Sequence, residues 1–170
     1  MLSNHEADTW EDTNSVDGAV FDDDRADPLE RLEAYVDHCF DTYDVVSNNL
    51  SREQVQACVA DWSRRRGQAR TNTRMGKQRF GKRVSDTKWR RNVDCKHVVF
   101  IAEALIGVGP EDDKGVGWKA CVRHELGHLV DYEMRGTSKH DHRFKAVMRQ
   151  FGNEANDGQH AHGYAPRIHR

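Results

Sequence analysis

The sequence His-Glu-Leu-Gly-His at residues 124–128 constrains this chain more than any other feature. Positions i and i+4 of an α-helix lie on one face, so the imidazoles of His124 and His128 can reach one metal ion. Glu125 lies about a hundred degrees round the helix, close to a metal-bound water without being a ligand. Zinc lowers the pKa of such a water to ~7, and the carboxylate can take its proton. The pattern predicts a zinc site with Glu125 as general base.

The same pattern also occurs by chance on ordinary surface helices, so its context matters. A helix is predicted from about 117 to 135, ending at Gly136, with apolar residues at helical spacing beside the motif. A strand and a loop precede it, an order that is common in zinc peptidases. We therefore favour the metal site over an ordinary helix face.

A catalytic zinc requires a third protein ligand, because it keeps three protein ligands and one open position. The extended pattern with a third histidine ten residues after the first is excluded, since that position is Met134. The remaining candidates are His140 and His142 just beyond the helix, and Glu154 further on, as in thermolysin-like enzymes.

Apolar periodicity predicts the other elements. Asp27 and Pro28 mark the start of a helix that is expected to end near Val46. The segment 51–66 fits a helix or the approach to a strand. Residues 67–92 fit a hairpin or a long loop. Beyond it, the sequence predicts a strand at 97–102, a loop at 107–117 and a last helix at about 141–151.

The charge is distributed unevenly, although the net charge is only -2. Residues 1–26 are acidic and poor in large apolar side chains, which predicts a disordered tail. Residues 62–91 contain twelve Lys or Arg and one acid, which predicts a surface for nucleic acid without base specificity. Aromatic side chains interleaved with these charges, Trp62 among them, could stack on bases. The alternative is a solvated hairpin that balances the tail. The candidate nucleic-acid-binding residues are Arg64, Arg65, Arg66, Arg70, Arg74, Lys77, Arg79, Lys82 and Arg83.

Composition and cysteine spacing bound the class of protein. No apolar run approaches the ~20 residues needed to cross a bilayer, so no membrane partner is expected. The N-terminus has no apolar segment typical of a secretory signal, which predicts a cytoplasmic protein with reduced thiols. The four cysteines form no Cys-x-x-Cys pair, which argues against a zinc ribbon.

The chain resembles the SprT-like metallopeptidases, the family of the Spartan proteases that act on DNA–protein crosslinks. The resemblance is carried by 122–128, by His140-Asp141-His142-Arg143-Phe144, and more weakly by 61–65 and 97–105. Asp141 stands where the family has glycine. The resemblance implies that His140 is the third zinc ligand. It also implies a small α+β zincin-like domain over 27–152, with a short antiparallel sheet packed on helices and the zinc in a cleft between sheet edge and active-site helix. Residues 153–170 would form a tail.

These observations predict a zinc metalloendopeptidase with one Zn2+ per chain, for which DNA-associated or DNA-crosslinked proteins are candidate substrates. One alternative is a nucleic-acid-binding or regulatory protein with a structural zinc. Another is a thermolysin-like peptidase that uses Glu154. For an oxyanion stabiliser, the sequence offers Tyr132, Tyr164 or a C-terminal histidine and does not select among them.

Overall fold

The computed structural model describes residues 18–71, 96–108 and 117–151. These ranges form four α-helices and three strands, together with short 3-10 turns, so the α+β prediction is confirmed for the described residues. The elements in chain order are α1 (Pro28–Thr42), α2 (Asp44–Ser47), β1 (Val55–Ala60), β2 (Gly67–Thr71), β3 (His97–Ala102), α3 (Trp118–Arg135) and α4 (His142–Arg149).

The three strands form a mixed sheet in the order β1-β3-β2. Strand β3 pairs in parallel with β1, with Val55 opposite His97, and antiparallel with β2, with Gly67 opposite Ile101. The expected purely antiparallel sheet is therefore wrong. All six residues of β3 are buried, as in a central strand that is covered on both faces. The long connection over 61–96 allows β1 and β3 to run in the same direction, since parallel pairing needs a crossover.

Helix α1 begins as predicted, because the Asp27 side chain accepts a hydrogen bond from the Leu29 N–H at 3.1 Å and Pro28 occupies the first turn. It ends earlier than predicted. Tyr43 is extended, and α2 continues as a separate short helix. The helix alternative for 51–66 is wrong, and the strand lies earlier than the expected end of the segment: β1 begins at Val55 and its side chains enter the core.

Helix α3 has the predicted bounds and contacts β2, β3 and α4. It ends at Gly136, which has a φ of 75° and whose N–H donates to the Tyr132 carbonyl at 2.7 Å. Left-handed backbone of this kind favours glycine, because other residues are strained there. Among the helices of the described ranges, none is long and apolar enough to cross a membrane.

Part of the acidic N-terminal segment is folded, which corrects the prediction of disorder for residues 18–26. Val20–Asp22 form a 3-10 turn, and the Phe21 ring lies 5.2 Å from that of Tyr35 and 5.0 Å from that of His38. Lys119 pairs with Asp22 at 2.7 Å. The average composition of 1–26 is poor in large apolar residues, but the single ring of Phe21 packs on α1 and orders this part of the segment. The predicted tails at 1–17 and 153–170 lie outside the described residues.

Candidate metal centre

Three histidine nitrogens converge at the side of α3. His124 and His128, one turn apart on that helix, have their Nε2 atoms 3.2 Å apart. His140, in the loop before α4, places its own Nε2 3.1 Å from that of His124 and 2.9 Å from that of His128. Within the described ranges this is the one group whose side chains could hold a metal ion. The structure therefore brings together the three residues that the sequence and the resemblance named.

The geometry of this triangle fits a bound metal. Nitrogens that each lie ~2.0–2.1 Å from a tetrahedral zinc are about 3.3 Å apart, close to the observed 2.9–3.2 Å. Hydrogen bonding alone does not account for the triangle, because each Nε2 has one proton or one lone pair to offer in this direction. His124 is buried, His128 is partly buried and His140 is exposed, so the cluster is open on the His140 side.

Of the alternative third ligands, the structure describes His142. His142 is the first residue of α4 and is exposed, and it does not belong to the cluster of converging ligand atoms. Glu154 lies outside the described residues. The described part of the chain thus separates His140 from His142, which the sequence spacing left open.

Phe144 and Gly127 explain how the triad is supported. The buried Phe144 ring stacks on the His128 ring with centroids 4.2 Å apart, and its centroid is 5.0 Å from that of His124 and 5.3 Å from that of His140. A Cβ at position 127 would meet the Met148 Sδ and would lie 3.4 Å from Phe144. Glycine at this position therefore allows α4 to pack close to α3, which brings the Phe144 ring beneath the histidines.

Asp141, which replaces the glycine of the family pattern, is the N-cap of α4. Its carboxylate accepts hydrogen bonds from the N–H groups of Arg143 and Phe144, each at 3.2 Å. Its φ of -105° is ordinary for any residue, so the aspartate causes no backbone strain. The Arg135 guanidinium beside it holds the pKa of the Asp141 carboxyl well below its usual range.

Glu125 lies between α3 and β2. Its carboxylate is buried and accepts a hydrogen bond from the Ala69 N–H of β2. Burial raises the pKa of Glu125 to about 8, against the opposing effects of that N–H and of the charges on Arg65 and Arg70. A Cβ at Gly67 would lie 3.1 Å from the Glu125 Cγ, so β2 passes close to this side chain.

Arg64, Arg65, Arg66 and Arg70 are the described members of the basic segment. Arg64 and Arg65 are exposed, whereas Arg66 and Arg70 are partly buried. The prediction that Trp62 stacks on bases is wrong, because Trp62 is buried and packs on Phe100 with centroids 5.8 Å apart. The other candidates for nucleic-acid contact, Arg74, Lys77, Arg79, Lys82 and Arg83, lie outside the described residues.

Of the residues offered for oxyanion stabilisation, the structure describes Tyr132. Tyr132 is partly buried, and its ring packs edge-on against that of His97 at the start of β3, with centroids 6.4 Å apart. Tyr164 and the C-terminal histidines lie outside the described residues.

A polar network that the sequence reading missed surrounds the loop over 136–141. Ser138 Oγ lies 2.7 Å from Nδ1 of His128 and donates to Oδ2 of Asp131 at 2.8 Å. Arg135 binds the carboxylates of both Asp131 and Asp141. The sequence held a partial signal for it, because Asp131 and Arg135 have the i, i+4 spacing of a helical ion pair.

No family model, curated protein or solved structure matches the chain. The functional interpretation therefore depends on the residues and the geometry described above.

Proposed function

We propose that this chain is a zinc-dependent metalloendopeptidase of SprT-like type. In this proposal His124, His128 and His140 hold one zinc ion, and Glu125 is the general base. The observation that carries it is the convergence of three histidine Nε2 atoms at 2.9–3.2 Å, two of them from one turn of a helix that also contributes Glu125. The sheet beside that helix is compatible with a zincin-like arrangement.

The donor set supports a catalytic zinc over a purely structural one. The cluster in the described residues offers three ligand atoms and is exposed at His140. A structural zinc is usually closed by four protein ligands, whereas a catalytic zinc keeps a position open. A structural site also has no need of a buried carboxylate such as that of Glu125 next to its first ligand.

The protein groups then have separate roles in peptide hydrolysis. Zinc, when bound, polarises the substrate carbonyl and makes a bound water more acidic. The positive charge of a zinc ion held by the triad would favour the ionised carboxylate of Glu125 and so oppose the effect of burial on its pKa. Glu125, about a hundred degrees round the helix from His124, would then take a proton from the attacking water and return it to the amine leaving group. The exposed side of the triad, at His140, is where an extended polypeptide would enter.

The surrounding charge supports proteins bound or crosslinked to DNA as the substrate class. Arg65 is exposed in the connection that leads into β2, and its charge, with that of Arg70, acts on Glu125. Cationic side chains beside a site attract the phosphate backbone without reading its sequence. A protein held on DNA would thereby be brought to the triad.

The test is a protease assay on a DNA-bound protein, with and without DNA, combined with a measurement of zinc content. Glu125→Gln should retain about one zinc per chain and lose activity by ~100-fold or more, because general-base catalysis contributes on that order. Glu30→Gln is the matched control, since Glu30 is exposed in the first turn of α1. Unchanged proteolysis in Glu125→Gln would contradict the assignment. A zinc-loaded but inactive wild type would favour the structural-zinc alternative.

A further inference from the structure

His128 contacts a short hydrogen-bonded relay on the side of its ring opposite the triad. Its Nδ1 lies 2.7 Å from Ser138 Oγ, and that hydroxyl lies 2.8 Å from Oδ2 of Asp131. Because Arg135 binds both carboxylate oxygens of Asp131, this group is an acceptor and the Ser138 hydroxyl is the donor. The remaining capacity of Ser138 Oγ is to accept, so Nδ1 of His128 is the protonated nitrogen.

The proton on Nδ1 of His128 determines the state of the other ring nitrogen. A neutral imidazole with its proton on Nδ1 has a lone pair on Nε2. The Nε2 of His128 is the atom that faces the triad, 2.9 Å from Nε2 of His140. The relay therefore selects the tautomer that can bind a metal and also fixes the rotation of the ring.

Arg135 connects the relay to the loop that supplies the third histidine. Its Nε and Nη2 donate to the two oxygens of Asp131, each at 2.7 Å. Its Nη1 and Nη2 donate to the two oxygens of Asp141, at 2.8 and 2.9 Å. A single guanidinium thus binds carboxylates on both sides of the loop over 136–140, in the two-pronged geometry that lysine cannot reproduce.

Burial strengthens this contact. The Asp131 side chain is 2% exposed and the Arg135 side chain 15%. A carboxylate this deeply buried requires a cation with good hydrogen-bond geometry, and removal of one partner leaves an uncompensated charge. The loop is thereby held in the conformation that places Ser138 against one ring and His140 in the triad.

We infer that Asp131, Ser138 and Arg135 are positioning residues for the metal centre. Asp131 and Ser138 set the tautomer and orientation of His128, and Arg135 holds the loop that carries His140. The inference depends on the metal site of the proposed function, but not on peptidase activity. A purely structural network would stabilise the fold without changing the affinity of the folded protein for metal.

The experiment measures Zn2+ affinity of the full chain by competition with a chelating dye, and the absorption spectrum of the Co2+-loaded protein. Ser138→Ala should weaken Zn2+ binding by ~10- to 100-fold, the usual effect of losing a group that orients a ligand. Ser138→Thr retains the hydroxyl and should restore affinity. Thr137→Ala is the matched control, because it removes an exposed hydroxyl from the same loop.

A second variant tests the loop contact. Arg135→Lys keeps the positive charge but loses the paired hydrogen bonds of the guanidinium. It should weaken Zn2+ binding and alter the Co2+ spectrum, while the circular dichroism of the protein is preserved. Wild-type affinity in Ser138→Ala would overturn the relay even if Arg135→Lys fails to fold. A wild-type chain that binds no Zn2+ would overturn the proposed function together with this inference. Normal zinc binding that is insensitive to both variants would overturn the inference alone.

Discussion

His97, a histidine outside the candidate metal centre, is completely buried at the start of β3. Its Nε2 lies 2.8 Å from Oε1 of Glu133, which also pairs with Lys96. Its Nδ1 has no hydrogen-bond partner among the described residues. Burial lowers the pKa of His97, with the Glu133 carboxylate opposing this effect. The neutral ring is therefore the favoured form in the folded protein.

This pKa shift predicts that acid destabilises the fold. The unfolded chain, with a histidine pKa near 6.5, binds the proton more readily than the folded protein does. The stabilisation that depends on a neutral His97 ring is therefore complete above about pH 6.5 and is lost as the pH falls below that value. For metal-free protein, the free energy of unfolding should decrease between about pH 7 and 5, with a limiting slope of ~1.4 kcal/mol per pH unit for one proton.

Denaturant titrations at each pH compare the free energy of unfolding of His97→Gln with that of the wild type. Glutamine can still donate to Glu133 and does not titrate, so the pH dependence should be flatter than in the wild type. His142→Gln, at an exposed position, is the control and should leave the slope unchanged. An identical slope in His97→Gln and wild type would contradict the assignment.

The residues of the site differ in how far the sequence can predict them. The positions of His124, Glu125 and His128 follow from local helix geometry, so their spacing alone predicts that they share a face. The choice of His140 over His142 depends on how the loop over 136–141 returns to α3. The contacts of this loop with Arg135 leave no periodic pattern in the sequence. Only the resemblance to a family favours His140 at the level of sequence.

At the scale of elements, the close approach of α4 to α3 is central to the site. It depends on the absence of a side chain at Gly127, where a Cβ would meet Met148. Phe144 and Met148 are both buried, and Phe144 packs against all three histidines. A change in the distance between α3 and α4 would therefore move the Phe144 ring relative to the three histidines.

Gly127→Ala should have two opposing effects on the stability of the protein. Helix propensity alone would stabilise the protein by ~1 kcal/mol, because alanine is the better helix former. We expect net destabilisation instead, since overpacking of a close-packed core costs about 1–3 kcal/mol. Denaturant unfolding should show this loss in the wild-type background.

The double mutant supplies the control for this prediction. In a Met148→Ala background the space is open, so adding Gly127→Ala should be neutral or stabilising, and the two changes should be non-additive. Stabilisation by Gly127→Ala in the wild-type background would contradict the packing argument.

Elements with a clear period were predicted well, and those that depend on distant contacts were not. Strand β3 and helix α3 follow from their own residues. Strand β1 was ambiguous because a short apolar run fits either period. The parallel pairing of β1 with β3 joins residues that are far apart in the sequence, such as Val55 and His97, and no local pattern gives a signal for it.

At the scale of the whole molecule, the acidic N-terminal segment and the basic segment are opposed in charge. Residues 1–17 contain five acidic residues and no Lys or Arg. Residues 18–26 are a different case, since Phe21 packs on α1 and Asp22 pairs with Lys119. The opposed charges lead us to expect that residues 1–17, which lie outside the described residues, compete with DNA for the basic segment.

For the proposed contact of the basic segment with DNA, deletion of residues 1–17 should tighten binding by about 3- to 10-fold at low salt, because it removes acidic side chains that compete with the DNA phosphates. Fluorescence anisotropy with a short oligonucleotide measures the dissociation constant. The advantage should disappear in high salt, where the Debye length falls to ~3 Å at 1 M. Equal affinity of the deleted and full-length chains at low salt would contradict the prediction.

A full-length variant separates charge from chain length. Its acidic residues in 1–17 are replaced by the corresponding amides, and it should bind DNA as tightly as the deletion does. The positions changed are Glu6, Asp8, Glu11, Asp12 and Asp17.

The proposal that three histidines hold one metal ion can be checked by the zinc content of the purified chain after dialysis. We expect about one zinc per chain in the wild type and in His142→Ala, and loss of zinc in His140→Ala, because His140 contributes a converging nitrogen and His142 does not. A wild-type chain without zinc, or zinc that is retained in His140→Ala and lost in His142→Ala, would contradict it.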